Sequence, residues 1–285
     1  MTVLEVIKRS TEFLAKKGVD SPRLQVELLL AHVLGLPRMG LYLNFERELP
    51  PAQLDQLREM VRRRGQREPL QHILGSTSFC GFEMAVNTNV LIPRPETELL
   101  AESGWEFLNS VSPGPPAALD FGTGSGCLVI TMAVKSPLAL LLAVDVSAEA
   151  LEVARQNAGR HHVADRVQFH LGDGFGALPG GLQFDLIVAN PPYIPSAEIE
   201  TLDPEVRDHD PKQALDGGAD GLDFYRRLAH EAGAWLKGGG KIMLEFGDGQ
   251  ADSIRNLFEQ QKWIVEQTKA DYSGRLRILI ARRAG

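Results

Sequence analysis

Apolar residues in the first seventy positions recur at helical spacing. Leu4, Ile7 and Leu14 mark one face of a first helix. Ser21-Pro22 reads as an N-cap followed by proline at the first helical position, opening a helix through Leu24, Leu28 and Ala31 that stops near Gly35. A third helix runs roughly from Pro51 to Arg64, with Leu54, Leu57 and Val61 inward and Gly65 as C-cap. Arg62, Arg63, Arg64 and Arg67 gather at its carboxyl end. There cations complement the helix dipole on a solvated face, and a partner-binding patch is the second reading. Residues 1–70 are expected to be a small all-helical domain without a catalytic constellation of its own.

From Gln71 the period changes. Short extended pieces punctuated by Gly75, Gly81 and Asn87-Thr88-Asn89 predict a β-hairpin, so residues 71–95 are expected to link two domains. Leu91-Ile92-Pro93-Arg94-Pro95-Glu96-Thr97-Glu98 is an extended Pro-rich segment entering a helix with an acidic first turn. Arg94, between two prolines, reads as exposed on a stiff loop. After Gly114-Pro115-Pro116, strands alternate with helical segments over residues 96–285: Ala117–Phe121, 138–144, Val167–Leu171, Phe184–Ala189 and 241–246. Such alternation predicts an α/β fold, a doubly wound and mostly parallel sheet with ligands at the strands' carboxyl ends. The continuous apolar run from Leu138 to Val144 predicts a strand covered on both faces. Residues 263–267 and 276–281 are close enough to form an antiparallel hairpin at the edge.

Composition narrows the classes. Hydrophobic content of 44% and charged content of 24% over 285 residues suit an ordinary soluble globular protein. No run approaches the roughly 18–20 apolar residues of a membrane span. The amino terminus, MTVLEVIKRSTEF, lacks a signal-peptide core, so the expected location is cytoplasmic. Cys80 and Cys127 form no CxxC or Cys/His cluster, which argues against structural zinc, and no metal is expected. His161-His162 reads as a solvated helix end. Residues 1–70 carry 12 Lys/Arg against 9 Asp/Glu, the remainder 18 against 28. An acidic body disfavours phosphate tracking, so no direct nucleic-acid partner is expected.

Chemistry concentrates at strand ends. The first strand runs into Asp120-Phe121-Gly122-Thr123-Gly124-Ser125-Gly126. A dinucleotide fingerprint would put glycine at position 127, which is Cys127, and no GK[ST] follows. A G-x-G-x-G turn without phosphate-binding chemistry suits the amino acid and ribose of S-adenosylmethionine. Asp145 ends the second strand, where a carboxylate can accept both ribose hydroxyls. Asp173 follows the third, where the adenine amino group would lie, with Gly174 beside it. The fourth ends in Asn190-Pro191-Pro192-Tyr193. Consecutive prolines fix a loop there. Asn190 Oδ1 and the Pro191 carbonyl can each accept one N–H of a planar amino group while Tyr193 packs on its plane. Each feature alone has a bland reading, a helix cap or an ordinary strand end; the ordered set does not.

With LIPRPETE at 91–98, DFGTGSG at 120–126, AVDVS at 143–147, NPPY at 190–193, DGGADGLDFYR at 216–226 and LEFGDGQ at 244–250, the chain resembles the class I methyltransferases. Within them it is similar to the HemK/PrmC family of protein-glutamine N5-methyltransferases, which modify the GGQ glutamine of peptide chain release factors. LQVELLLAHVLGL at 24–36 and RRRGQREPLQHILG at 62–75 resemble that family's helical substrate-recognition domain. The resemblance implies cofactor contacts from Gly122, Thr123, Gly124, Ser125, Gly126, Asp145, Gly174 and Asn190, and catalysis by Asn190, Pro191, Pro192 and Tyr193. Family members often carry a bulky aromatic residue where this chain has Gly174, so any adenine contact there would be through backbone. Glu245 and Arg94 could line the substrate mouth. The nearest rival is an adenine-N6 or RNA methyltransferase using the same loop. A rival of another class is a non-catalytic adenosylmethionine sensor or ribosome-associated scaffold.

Overall fold

The computed structural model describes residues 1–284. The chain folds into two compact units: Met1–Ser76 together with Asp203–His209, and Thr77–Leu202 together with the chain from Asp210 onward.

The first unit opens with α1 (Val3–Lys16), whose end is fixed by a capping box. Thr2 Oγ1 accepts from the Glu5 N–H and Glu5 Oε2 accepts from the Thr2 N–H. It buries Val3, Val6, Ile7 and Leu14, while Leu4 is only half-buried. In α2 (Pro22–Leu34) the sequence expectation is corrected twice. Ser21 is left-handed, with φ of 45°, and makes no side-chain cap. The buried apolar residues are Val26, Leu29, Leu30 and Ala31, so Ala31 faces inward as expected while Leu24 is exposed. Gly35, also left-handed, ends the helix as its sequence predicts. α3 (Pro51–Gly65) includes Gly65 as a helical residue, with Gln66 as the cap. A Cβ at Gly65 would stand 2.6 Å from the Phe13 ring, so glycine here permits close packing against α1. α4 (Leu70–Leu74) is a short helix where extended chain is expected.

Of the arginine cluster only Arg62 stays on a solvated face, and each of the four is paired with a carboxylate. Arg62 pairs with Glu59 and Arg63 with Glu68. Buried Arg64 and half-buried Arg67 both grip Glu205, at 2.7 and 2.6 Å. Removing one partner from such a pair leaves an uncompensated charge, a loss of about 3–5 kcal/mol when fully buried.

The second unit, from Thr77 on, takes in nearly all of a hairpin, β1 (Ser76–Phe79) and β2 (Phe82–Ala85), followed by α5 (Thr97–Ser110). Then come β3 (Ala117–Phe121), α6 (Cys127–Lys135), β4 (Leu140–Asp145), α7 (Ala148–Arg160), β5 (Val167–Leu171) and β6 (Phe184–Ala189). α8 (Pro204–Arg207) carries Glu205 and packs in the first unit. α9 (Asp223–Glu231), β7 (Leu236–Glu245), α10 (Ala251–Gln260), β8 (Trp263–Ala270) and β9 (Leu276–Arg283) complete the chain. The sheet order is β5-β4-β3-β6-β7-β9-β8; the first five strands are parallel and the last two form an antiparallel edge.

Two expectations shift. The second strand starts at Leu140, and since Leu138 and Leu140 are 77% and 57% exposed, its continuously covered stretch is Leu141 to Val144. His161 is not simply solvated: its Nε2 lies 2.8 Å from the Glu83 carbonyl and its ring meets Phe82 edge-on, bracing the hairpin. β6 alternates between two cores, sending Leu186 and Val188 to one face and Ile187 and Ala189 to the other. The strand order reverses between β3 and β6, so the open crevice falls where their carboxyl ends meet. Among the described residues no helix is long and apolar enough to cross a membrane.

Candidate active site

A cleft in the second unit is lined by Gly122, Thr123, Gly124, Ser125, Asp145, Asp173, Gly174, Asn190, Pro191 and Pro192, together with Arg94 and Thr97. Gly126 and Tyr193, also singled out from the sequence, do not line it. Register explains the convergence. Asp120 pairs with Val188, so the turn leaving β3 and the loop leaving β6 emerge side by side.

All three turn glycines have positive φ, at 76°, 55° and 80°, but they serve two purposes. A Cβ on Gly122 or Gly124 would meet nothing within 4 Å, so the backbone there is open to the cleft. A Cβ on Gly126 would strike Ile130 at 2.7 Å and Ala154 at 3.0 Å, so this glycine lets α6 pack on α7. The turn's N–H groups are largely engaged. Gly122 and Thr123 donate to the Val144 carbonyl, Gly124 to Asp145 Oδ2 at 2.8 Å and Gly126 to the Thr123 carbonyl. A phosphate site needs several free N–H groups converging on the anion, and this turn does not offer them. Beneath it, buried Asp120 accepts from Thr123 Oγ1 at 2.6 Å, and burial pushes its carboxyl up to about 7. Asn157, which no motif marks in the sequence, ties the Ser125 carbonyl to both backbone groups of Ala85.

Asp145 is fixed at the cleft edge by the Gly124 and Ser147 N–H groups, one on each carboxylate oxygen. Each oxygen keeps a further lone pair for a ligand. The Asp173 carboxylate is held by Arg227 at 2.5 Å. A Cβ on Gly174 would come within 2.7 Å of the Phe121 ring and 2.8 Å of Arg227, so that position has no room for a side chain. Arg94 is pinned rather than loose: its Nη2 donates to buried Asp210 at 2.6 Å.

Having few N–H groups of its own, the proline loop is held from outside. Asn190 Nδ2 donates to Thr97 Oγ1 at 3.1 Å. Gln250 Nε2 donates to the Tyr193 carbonyl at 2.9 Å, and Gln250 Oε1 accepts from the Gly247 N–H. Ile194 bridges to the 215–217 stretch in both directions. A Cβ on Gly217 would stand 2.8 Å from the Pro192 carbonyl, and one on Gly221 2.3 Å from the Tyr193 carbonyl. Gly217 and Gly221 of DGGADG therefore let a second loop press on the first. Glu245, at the end of β7, is 2% exposed; burial pushes its carboxyl up to about 7, with Thr97 and Asn190 acting against the rise. The motifs that carry Gln250, Gly217 and Glu245 are visible in the sequence, but their contacts to the proline loop are not.

Known proteins resemble the chain over nearly its whole length. Residues 5–75 match the family model described as PrmC N-terminal domain, and residues 104–202 the one described as Methyltransferase small domain. The release factor glutamine methyltransferase of Geobacter sulfurreducens is 44% identical over 96% of this chain and 94% of its own. That of Chlorobaculum tepidum is 45% identical over 90% and 89%. A methyltransferase from Pyrococcus furiosus, 23% identical, shares the fold with a TM-score of 0.52 over 72% of this chain and 90% of its own.

Proposed function

The chain belongs to the release factor glutamine methyltransferases, and from that premise we propose that it transfers a methyl group from S-adenosylmethionine to N5 of the GGQ glutamine of peptide chain release factors. One observation carries the reading: an open glycine turn and an Asn-Pro-Pro loop share one cleft, and the Asn190 Nδ2 end is already bonded to Thr97. The opposite end of that amide, Oδ1, is left as an acceptor for a substrate N–H.

The residues fit the cofactor. Gly122 and Gly124 leave open space where a side chain would otherwise stand, with no set of free N–H groups calling for a phosphate. Asp145 would accept the ribose hydroxyls, and the Gly174 backbone would lie beside the adenine. When bound, the cofactor supplies a sulfonium methyl: the N–CH3 bond forms as the S–CH3 bond breaks, its electron pair returns to sulfur, and the nitrogen's extra proton leaves to water. Asn190 Oδ1 and the Pro191 carbonyl would hold the two amide hydrogens and favour the nitrogen as it turns tetrahedral, an interaction strongest in the transition state. Such alignment is worth roughly 7–11 kcal/mol in well-oriented systems. Tyr193 would support the loop from outside the cleft. The helical first unit would meet the release factor, and the enzyme would work in the cytoplasm beside it.

The test is labelled methyl transfer onto a purified release factor, its Gln-to-Ala variant and bulk nucleic acid. Label on the unmodified factor alone is the expected result. Label on nucleobases with the glutamine bare would favour the adenine-N6 or RNA alternative.

A further inference from the structure

The parallel register pairs Ala189 with Leu244, so the next residues, Asn190 and Glu245, leave the sheet as neighbours. Side chains alternate across a strand. Val188 and Met243 face the core that α5 covers, which puts Asn190 and Glu245 on that same side, against Thr97 at the start of α5. The Glu245 carboxyl lies within hydrogen-bonding reach of both Thr97 and Asn190, and Oε2 has no partner among the described residues. A buried carboxylate with no matched cation is costly unless something uses it.

We propose that Glu245 is a positioning residue that, with Thr97, holds the Nδ2 end of the Asn190 amide and so aims Oδ1 at the substrate nitrogen. A primary amide is nearly symmetric in shape, and turned over it would present a donor to a nitrogen that needs acceptors. Two acceptors behind Nδ2 decide which way it sits. The inference rests on the methyl-transfer reading of the site given above.

Ionised Glu245 accepts; protonated, it carries a donor that competes for the same amide. The groups facing it are Glu96, which raises its pKa, Arg277, which lowers it, and Tyr193, Tyr225 and Cys127. With the carboxyl titrating at about 7, the accepting form is mostly present above that value and is lost as pH falls through it. Wild-type kcat is then expected to fall about tenfold from pH 8 to pH 6.

The experiment measures kcat, substrate KM and S-adenosylmethionine Kd for four variants of the full chain. Glu245→Leu should lower kcat by about 30–100-fold, with KM and Kd within threefold, the loss expected for a misaimed transition-state contact. Glu245→Gln, like the protonated carboxyl, offers one acceptor beside a donor, so it should hold kcat near the low wild-type value of pH 6 and flatten the profile between pH 6 and pH 8. Thr97→Val should lower kcat by about tenfold, and Thr97→Ser should restore it, an arm that stands even if Glu245→Leu does not fold. Losses confined to KM or Kd, or a pH profile that Glu245→Gln leaves unchanged, would overturn the proposal. Absence of glutamine methylation by the wild type would instead overturn the reading on which it rests.

Discussion

The glycine turn after β3 and the proline loop after β6 stand side by side at the mouth of one cleft, and they are made rigid by opposite means. The glycine turn is bound to its own sheet through Val144 and Asp145, the last two residues of the neighbouring strand. It is nearly self-contained. The proline loop has surrendered two N–H donors to its composition and cannot be fixed by a ladder of its own. Its shape is imposed by Thr97, Gln250 and the glycines at 217 and 221. A loop that must keep its carbonyls free for a ligand is best gripped by side chains and by packing. A cradle that must only leave room can grip itself.

If the two loops divide the work as proposed, Asn190→Ala should have the largest effect. It removes the acceptor that strengthens in the transition state, and losing one such contact costs about 2.7–4 kcal/mol, or about 10²–10³ in kcat. Cofactor affinity by calorimetry should stay within threefold. An equal loss in both would make Asn190 a binding residue, and the division of labour would disappear.

Gly221→Ala comes next. It adds a Cβ 2.3 Å from the Tyr193 carbonyl at a residue with φ of 75°. Something must move, and backbone cannot move cheaply. A displacement on the order of 1 Å in a positioning loop costs about 10² in rate, and the left-handed strain should lower Tm by a measurable few degrees. A normal kcat in this variant would mean that the second loop does not shape the first.

Asp145→Ala probes the other loop. It removes the acceptor for the Gly124 N–H and the acceptors proposed for the ribose. Hydrogen bonds to a charged group contribute about 1.5–3 kcal/mol, so cofactor Kd should rise by about 10–100-fold while kcat at saturation stays within threefold. Unchanged affinity in titration calorimetry would refute the ribose role.

The same contrast explains what was legible in the sequence. β3, β5 and β6 are readable to the residue: β3 and β6 are short, mostly apolar runs stopped at Gly122 and at Asn190-Pro191, and β5 alternates apolar with polar residues up to Gly172. The glycine turn is readable because its partners sit on the adjacent strand. α2 is apolar on nearly every side, so periodicity offers no face to choose, and Leu24, which it turns inward, is exposed. Ser21 has the composition of a cap, but its backbone is left-handed and its side chain makes no cap hydrogen bond. Gly65 has the composition of a helix end, and only the Phe13 ring, far off in sequence, explains it. Thr97, 93 residues from Asn190, belongs to the site solely through the fold. Asp203–His209 likewise joins the first unit only through the fold, where Arg64 and Arg67 hold Glu205.

Gln250 offers the smallest and most discriminating effect. Its amide bridges two backbones, accepting from the Gly247 N–H and donating to the Tyr193 carbonyl, and it makes no contact with the cleft. Gln250→Leu keeps the bulk and removes both hydrogen bonds, leaving a half-buried carbonyl to find water. A typical bond of this kind contributes about 1 kcal/mol net, so two lost bonds predict a fall of about 1–2 kcal/mol in unfolding free energy. If the proline loop is held only from outside, part of that loss must reappear in catalysis, as a drop of about fivefold in kcat with cofactor Kd unchanged. If stability falls while kcat holds, the prolines alone keep the loop in shape, and the grip of Gln250 serves the fold and not the reaction.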